Sequence, residues 1–437
     1  MKKKNSKRKQ RKEEKEKVNK ISDVKMAYIM YGKKAFIVPI VVMVILGAII
    51  WGIVYNARKN NAPQETADNQ KEQINYIWGE IKPGKRNTNN FTTVTSSDGV
   101  EVPVPTGYTA SSASDENSVK GGFVIYEGTE AVTDSNKWEA QCNRNQYVWI
   151  PIADVSDMYW RDQTTGKKYG TTYTFTSSSY TKSSSNKNEP QATEDDIQST
   201  YLTQYLNGMS REDFLMEMEI DFDKMLNSVA TYGGYYIGRY ETGDLSQSTP
   251  VIKRINTDIT GQSWWNAWKK ARKLSGTSAG VQMIWGIQWD ETLKWLIDTG
   301  EKTYAEIASD STSWGNYMNN SFTYYTDTSK NTATKELNKY IKIPSGAYEG
   351  ANTNNIFDLA GNTWNWTCES KGLGAGNYRY NRGGCYSALG NYNQVSSRYN
   401  YGPHYNNNYV RFALHFIHQI THPSQTQPPS INTHYIS

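Results

Sequence analysis

The sequence predicts a mixed α+β domain carried behind one N-terminal membrane-spanning helix. Three observations lead there. An uncharged apolar run of 21 residues, Ala35 to Tyr55, lies near the start of the chain. The segments VEVPVPTGY (100–108), GGFVIYEG (121–128) and YVWIPI (147–152) have the alternation of strands in an antiparallel sheet. Further on, apolar residues recur at helical spacing in three separate stretches.

Charge is divided along the chain. Residues 1–34 hold 14 Lys/Arg against 4 Asp/Glu, and the remainder holds 34 against 39. A basic tail therefore precedes a mildly acidic body. Such a tail cannot bury apolar surface. Alone it would suit nucleic acid, but the apolar run behind it makes it a cytoplasmic flank, and no nucleic-acid partner is expected. At 1.5 Å per residue, the stretch 35–55 makes roughly 31 Å of helix, the thickness of a bilayer core. Pro39 falls in its first turn, and Trp51 and Tyr55 sit where interfacial aromatics belong. Lys33 and Lys34 mark the cytoplasmic end. No small-x-small cleavage site follows, so the run is read as a signal anchor in the plasma membrane. The N-terminus is then cytoplasmic and the body extracellular.

Residues 56–98 are polar and read as a stalk, residues 99–418 as the folded domain, and 419–437 as a disordered tail. His415, His418 and His422 are taken with that solvated tail. The Ser/Thr-rich stretch 161–200 reads as an exposed loop or hairpin. A helix follows, capped by Ser210 with Asp213 three residues on and carrying Phe214, Met218, Phe222, Met225 and Val229 on one face. GGYYIGRY is then a buried strand after a glycine turn. A second helix starts near Ser263 with Trp264, Trp268 and Ala271 on one face. A third carries Trp289, Leu293 and Leu296 and ends at Gly300. These tryptophans read as core. Residues 301–352 form another long polar connection.

Three cysteines, Cys142, Cys368 and Cys385, are too few for a disulfide framework. One Cys368–Cys385 bridge and three unpaired thiols are both compatible with them. All five histidines fall at or after His404, which leaves the body without a histidine for a triad, a zinc site or a proton shuttle. Glu241 and Asp290 occur singly, as solvated or capping carboxylates do.

The stretch from Asn355 to Phe412 organises the rest. Its first half is a framework: Ile356, Phe357, Leu359, Trp364 and Trp366 are apolar anchors around the turn Ala360-Gly361-Asn362. Its second half, 377–409, is rich in Asn, Tyr and Gly with few charges beyond arginine, the composition of a binding loop. The expected ligand-binding face is Tyr378, Tyr380, Asn391, Tyr392, Asn393, Asn400, Tyr401, His404, Tyr405, Asn406 and Asn408. Arg382 and Arg398 are left off because an arginine in a charge-poor segment more often braces the fold.

The run DLAGNTWNWT, then RGG, then an Asn-rich segment closing on VRFAL resembles the C-terminal signature of the formylglycine-generating-enzyme (sulfatase-modifying factor) family. GGFVIYEG, YVWIPI, GGYYIGRYETG (233–243) and SWWNAWKKARKL (263–274) extend the resemblance over roughly residues 99 to 416. It implies a C-type-lectin-like fold, shared with the variable ligand-binding proteins of diversity-generating retroelements. Those elements mutate template adenines, so AAY asparagine codons yield Tyr, Ser, His, Asp and Gly, a mixture that 377–409 resembles. The family's enzymes use two cysteines to bind copper and oxidise a substrate cysteine. Here Ala388 and Asn393 occupy those positions, and Cys385 stands at the family's serine. The resemblance also implies calcium at Asp358, Gly361, Thr363 and Asn365, with asparagine where the family has glutamate.

Two functions of different class follow. One is a membrane-anchored surface protein that binds an extracellular protein or glycan through the Asn/Tyr face. The alternative is a sulfatase-modifying-factor-type oxidoreductase, or another modifying enzyme in the same groove.

Overall fold

The computed structural model describes residues 80–418 apart from 85, 87–89, 191–203, 205–207, 244–249, 257–261, 274–278, 372–377, 406–409 and 413. The chain divides into two compact units, 1–73 and 74–437, and all described residues belong to the second. The expected cytoplasmic tail, membrane span and C-terminal tail (1–34, 35–55, 419–437) lie outside the described residues, as do most of the stalk and the site residues Asn406 and Asn408. Among the described residues, no helix is long and apolar enough to cross a membrane.

The fold is mixed α+β, with one six-stranded sheet and several smaller ones. It begins inside the expected stalk. Strand β1 (Phe91–Thr95) pairs antiparallel with β2 (Glu101–Pro105), and Phe91 packs edge-on against Tyr232 at 5.2 Å. Upstream, the Gly84 amide donates to Thr231 Oγ1 at 2.7 Å. The polar composition of 56–98 concealed this because one aromatic anchor suffices to dock a short hairpin.

Strands β3 (Tyr108–Ala110), β4 (Val124–Glu127) and β5 (Gln146–Pro151) follow, with a short helix α1 (Lys137–Asn143) between the last two. Val124, Ile125, Tyr126 and Val148 to Ile150 are buried on both faces, as central strands of a covered sheet must be. The stretch 161–200 is not simply exposed. It forms hairpins β6 (Tyr159–Arg161) with β7 (Lys168–Gly170) and β8 (Thr172–Phe175) with β9 (Tyr180–Ser183), and it buries Lys168, Tyr169, Tyr173 and Glu189.

Helix α2 (Arg211–Tyr232) matches its sequence signals. Ser210 Oγ accepts from the Asp213 amide, and Gly233 takes φ 83° at the C-cap, a conformation glycine adopts without a Cβ penalty. Phe214, Met218, Phe222, Met225 and Val229 are all buried. Strand β10 (Gly234–Gly238) runs antiparallel to β5. Helix α3 (Trp264–Lys273) packs its tryptophans on α2, with the Phe214 ring 5.1 Å from Trp265 and 5.4 Å from Trp268. Strand β11 (Ala279–Met283) leads to helix α4 (Gly286–Asp298), and Gly300 at φ 79° ends the turn beyond it.

The connection 301–352 is also structured. It holds a short helix α5 (Tyr304–Ala308) and the hairpin β12 (Phe322–Tyr325) with β13 (Thr332–Lys335), and it buries Trp314, Tyr317 and Lys335. A two-residue ladder, β14 (Asn352–Thr353) with β15 (Ile356–Phe357), precedes a second sheet. That sheet contains β16 (Trp364–Ser370), β17 (Arg379–Arg382), β18 (Tyr399–Tyr401) and β19 (Val410–Phe412) in the order β18-β17-β16-β19. The final strand β20 (Leu414–His418) inserts between β10 and β11, so the central order is β11-β20-β10-β5-β4-β3. His415 and His418 therefore belong to the central sheet, paired in register with Ile237 and Ala279, and not to a tail.

Candidate functional site

The turn between β15 and β16 is braced from beneath. Asp358, Gly361 and Asn362 take φ of 58°, 75° and 52°. A side chain at Gly361 would strike the Asn316 carbonyl, which would lie 2.4 Å from its Cβ. Glu241, buried from β10's end, receives Asn362 Nδ2 at 2.6 Å and both the amide and the hydroxyl of Thr363. It caps the turn but is not solvated, and that burial had no local sign in the sequence.

The four residues expected to hold calcium lie in and beside this turn. Asp358 Oδ2 receives Ser345 Oγ at 3.1 Å and the Gly346 amide at 2.7 Å. The Thr363 hydroxyl serves Glu241, and the Thr363 carbonyl accepts from Asn365 Nδ2 at 3.2 Å. Asp358 and Asn365 line one small cavity with Glu241, and neither Gly361 nor Thr363 borders it. Calcium needs six to eight oxygens around one point. Hydrogen bonds engage Asp358 Oδ2 and the Thr363 carbonyl, while the buried Asn365 Oδ1 receives none.

Beneath β16 to β18 lies a buried charge network. Arg382 Nη2 donates to Asp290 Oδ1 at 2.7 Å, and Asp290 Oδ2 receives the Tyr173 amide and Arg398. Arg398 Nε spans both oxygens of Glu369 at 2.9 and 3.1 Å, and its Nη1 donates to the Tyr173 carbonyl. Glu189, from the 161–190 insertion, accepts the amides of Gly286 and Ile287 at the N-terminus of α4. Burial, with Glu369 nearby, pushes the Glu189 carboxyl up to about 8. Asp290 is thus a fully buried hub, not a lone solvated carboxylate. Arg382 and Arg398 brace the fold, as their charge-poor setting predicts.

Above this network the expected face falls into two groups. On β17, β18 and their flanks, Tyr378 and Tyr405 are 41% and 40% exposed, His404 is exposed, and Tyr380, Asn400 and Tyr401 are half-buried. On the loop after Cys385, Tyr392 is 72% exposed, Asn391 is exposed and Asn393 is half-buried. Tyr399 was missed and is 45% exposed. It stacks on Trp364 at 5.4 Å and meets Tyr401 edge-on at 5.1 Å, while Tyr401 stacks on Tyr405 at 4.5 Å. Alternation in β18 could have found it, since residues two apart share a face. Leu337 and Tyr340 are exposed as well, on a loop whose Asn338 amide donates to the Met318 carbonyl. The Met318 amide in turn donates to the Ala388 carbonyl, which ties this loop to the display segment.

The cysteines are all free. Burial raises each thiol above its ordinary value, Cys368 furthest. Ala388 and Asn393 lie in the turn after buried Cys385, where their amides donate to the carbonyls of Cys385 and Leu389.

No family model matches the chain, and no curated protein matches its sequence. Among solved structures it is similar to CarF, at 15% identity and a TM-score of 0.29 over 42% of this chain and 86% of that one. Treponema denticola variable protein 1 is similar at 16% identity and a TM-score of 0.28, over 43% and 85%. PvdO from Pseudomonas aeruginosa is similar at 12% identity and a TM-score of 0.28, over 43% and 81%. Overlap at this level carries no argument about activity, and the strand order above defines the α+β fold.

Proposed function

We propose that the chain is a membrane-anchored surface protein that binds an extracellular protein or glycan. The proposed face is the Asn/Tyr-rich segment, carried on a lectin-like scaffold and varied by retroelement diversification. One observation carries this reading: the segment sorts its residues by role. Its charged side chains, Arg379, Arg382 and Arg398, turn inward onto fixed partners, while Tyr378, Tyr392, Tyr399 and Tyr405 turn outward. Exposed tyrosines offer large rigid contact area at low entropic cost, and asparagines add adaptable donors and acceptors. A scaffold braced from below tolerates change above.

We add Tyr399 to the proposed face, on its exposure and its stacking against Trp364. Binding is favoured over two-cysteine oxidoreductase chemistry because Ala388 and Asn393 supply no sulfur and burial raises the Cys368 and Cys385 thiols above their ordinary values. The membrane anchor rests on the 35–55 run alone.

The test uses the detergent-solubilised full chain on a glycan array and a display library of extracellular proteins. A hit is expected to weaken at least tenfold, about 1.4 kcal/mol, when Tyr392, Tyr399 and Tyr405 are all changed to Ser. Full binding by the triple variant would place the site elsewhere.

A further inference from the structure

Away from this face, the insertion 161–190 meets helix α2 through a lysine and an aspartate. Lys168 opens β7, and Asp223 sits midway along α2. Lys168 Nζ lies 2.6 Å from Asp223 Oδ2, and the two side chains are 1% and 3% exposed. Glu219, one helical turn before Asp223, lines the same small cavity with Lys167 and Pro190, and its carboxylate accepts from Lys167 Nζ at 2.5 Å. Burial outweighs the attraction between the two groups. It lowers the Lys168 ammonium below its ordinary value and raises the Asp223 carboxyl to about 7. Both moves favour an uncharged amine beside an uncharged acid.

We propose that Lys168 and Asp223 condense into an intramolecular isopeptide bond, with Glu219 as the proton shuttle. The neutral Lys168 amine attacks Asp223 Cγ. The Nζ–Cγ bond forms and the Cγ–OH bond breaks. The Glu219 carboxylate takes the proton that Nζ releases and hands it to the departing hydroxyl, which leaves as water. Nothing is oxidised or reduced, and no co-reactant is needed. Among the described residues, the other deeply buried ion pairs, Arg239 with Glu116 and Arg382 with Asp290 and Glu369, use guanidinium groups that cannot act this way. Lys335 is buried too, but its ammonium donates to the carbonyls of Tyr317 and Asn320 and forms no ion pair within 4 Å of a described carboxylate. The lysine–carboxyl–carboxylate grouping at 168, 223 and 219 is what the reaction requires. The bond would tie the insertion covalently to the longest described helix, hardening an exposed domain against unfolding and proteolysis.

Intact mass spectrometry of the full chain tests this directly. The expected mass is one water, about 18 Da, below that of the unmodified sequence, and digestion yields a branched peptide joining Lys168 to Asp223. Lys168→Met and Asp223→Ala should each restore the full mass, and Glu219→Gln should leave a larger unlinked fraction. A wild-type chain recovered wholly at the unlinked mass, with Lys168 and Asp223 in separate linear peptides, would overturn the proposal. That measurement needs no variant to fold.

Discussion

Arg382 and Asp290 meet at 2.7 Å with neither side chain exposed, 92 residues apart in the chain. Their pairing joins β17 to α4 directly under the display segment. Removing one partner strands the other charge in the interior, which typically costs about 3–5 kcal/mol. Asp290→Ala is expected to lower the unfolding free energy by that amount, read from urea titration followed by tryptophan fluorescence. A change under about 1 kcal/mol would mean the pair is dispensable to the brace.

Glu189 should make stability fall as pH rises. Its carboxyl moves from an ordinary 4.5 to about 8 in the folded chain, so between those values the folded state holds a proton that the unfolded state has lost. The stabilisation is complete below about pH 4.5 and is lost as pH climbs through about 8, a fall on the order of a few kcal/mol. Melting temperatures across this range should decline for the wild type and decline less for Glu189→Gln. Equal slopes would assign the titration to another group.

Trp364 and Trp366 should act as structure rather than as ligand platform. Trp366 is fully buried and donates Nε1–H to the Gln262 carbonyl at 2.8 Å, and Trp364 is nearly so, beneath Tyr399. Each change to Ala is expected to cost about 3–5 kcal/mol. Unchanged melting midpoints for both would contradict their burial.

No formylglycine should form on a sulfatase-motif peptide incubated with the purified chain and copper. Ala388 and Asn393 offer no sulfur, Cys368 and Cys385 are buried, and Cys142 is half-buried. Turnover above a copper-only control would require a second chemistry in the groove.

Protease shaving of intact cells should remove the body after Asn56 and spare residues 1–34. Lysines before Ala35 favour the anionic inner leaflet by on the order of 1 kcal/mol each. Protected epitopes beyond Asn56 would reverse the orientation.

What the sequence determined by itself was local. The alternation of 121–128 and 147–152 and the caps of α2 were legible because strand and helix periods repeat within a few residues. Likewise, the inward role of Arg382 and Arg398 followed from charge scarcity in their own segment. The proposed membrane anchor, outside the described residues, rests on the same kind of local pattern. What only the tertiary structure decided was pairing between distant segments. Glu189 looked like part of an exposed loop, yet it caps α4, nearly a hundred residues on. Lys168 and Asp223, Glu241 and Thr363, and Asp290 with its two arginines each carry no local mark of their partner. The same holds for Asp358, whose Oδ2 receives the Ser345 hydroxyl and the Gly346 amide. Burial and partnership of a polar group depend on what folds over it, and that information lies in long-range topology rather than in the residue's own surroundings.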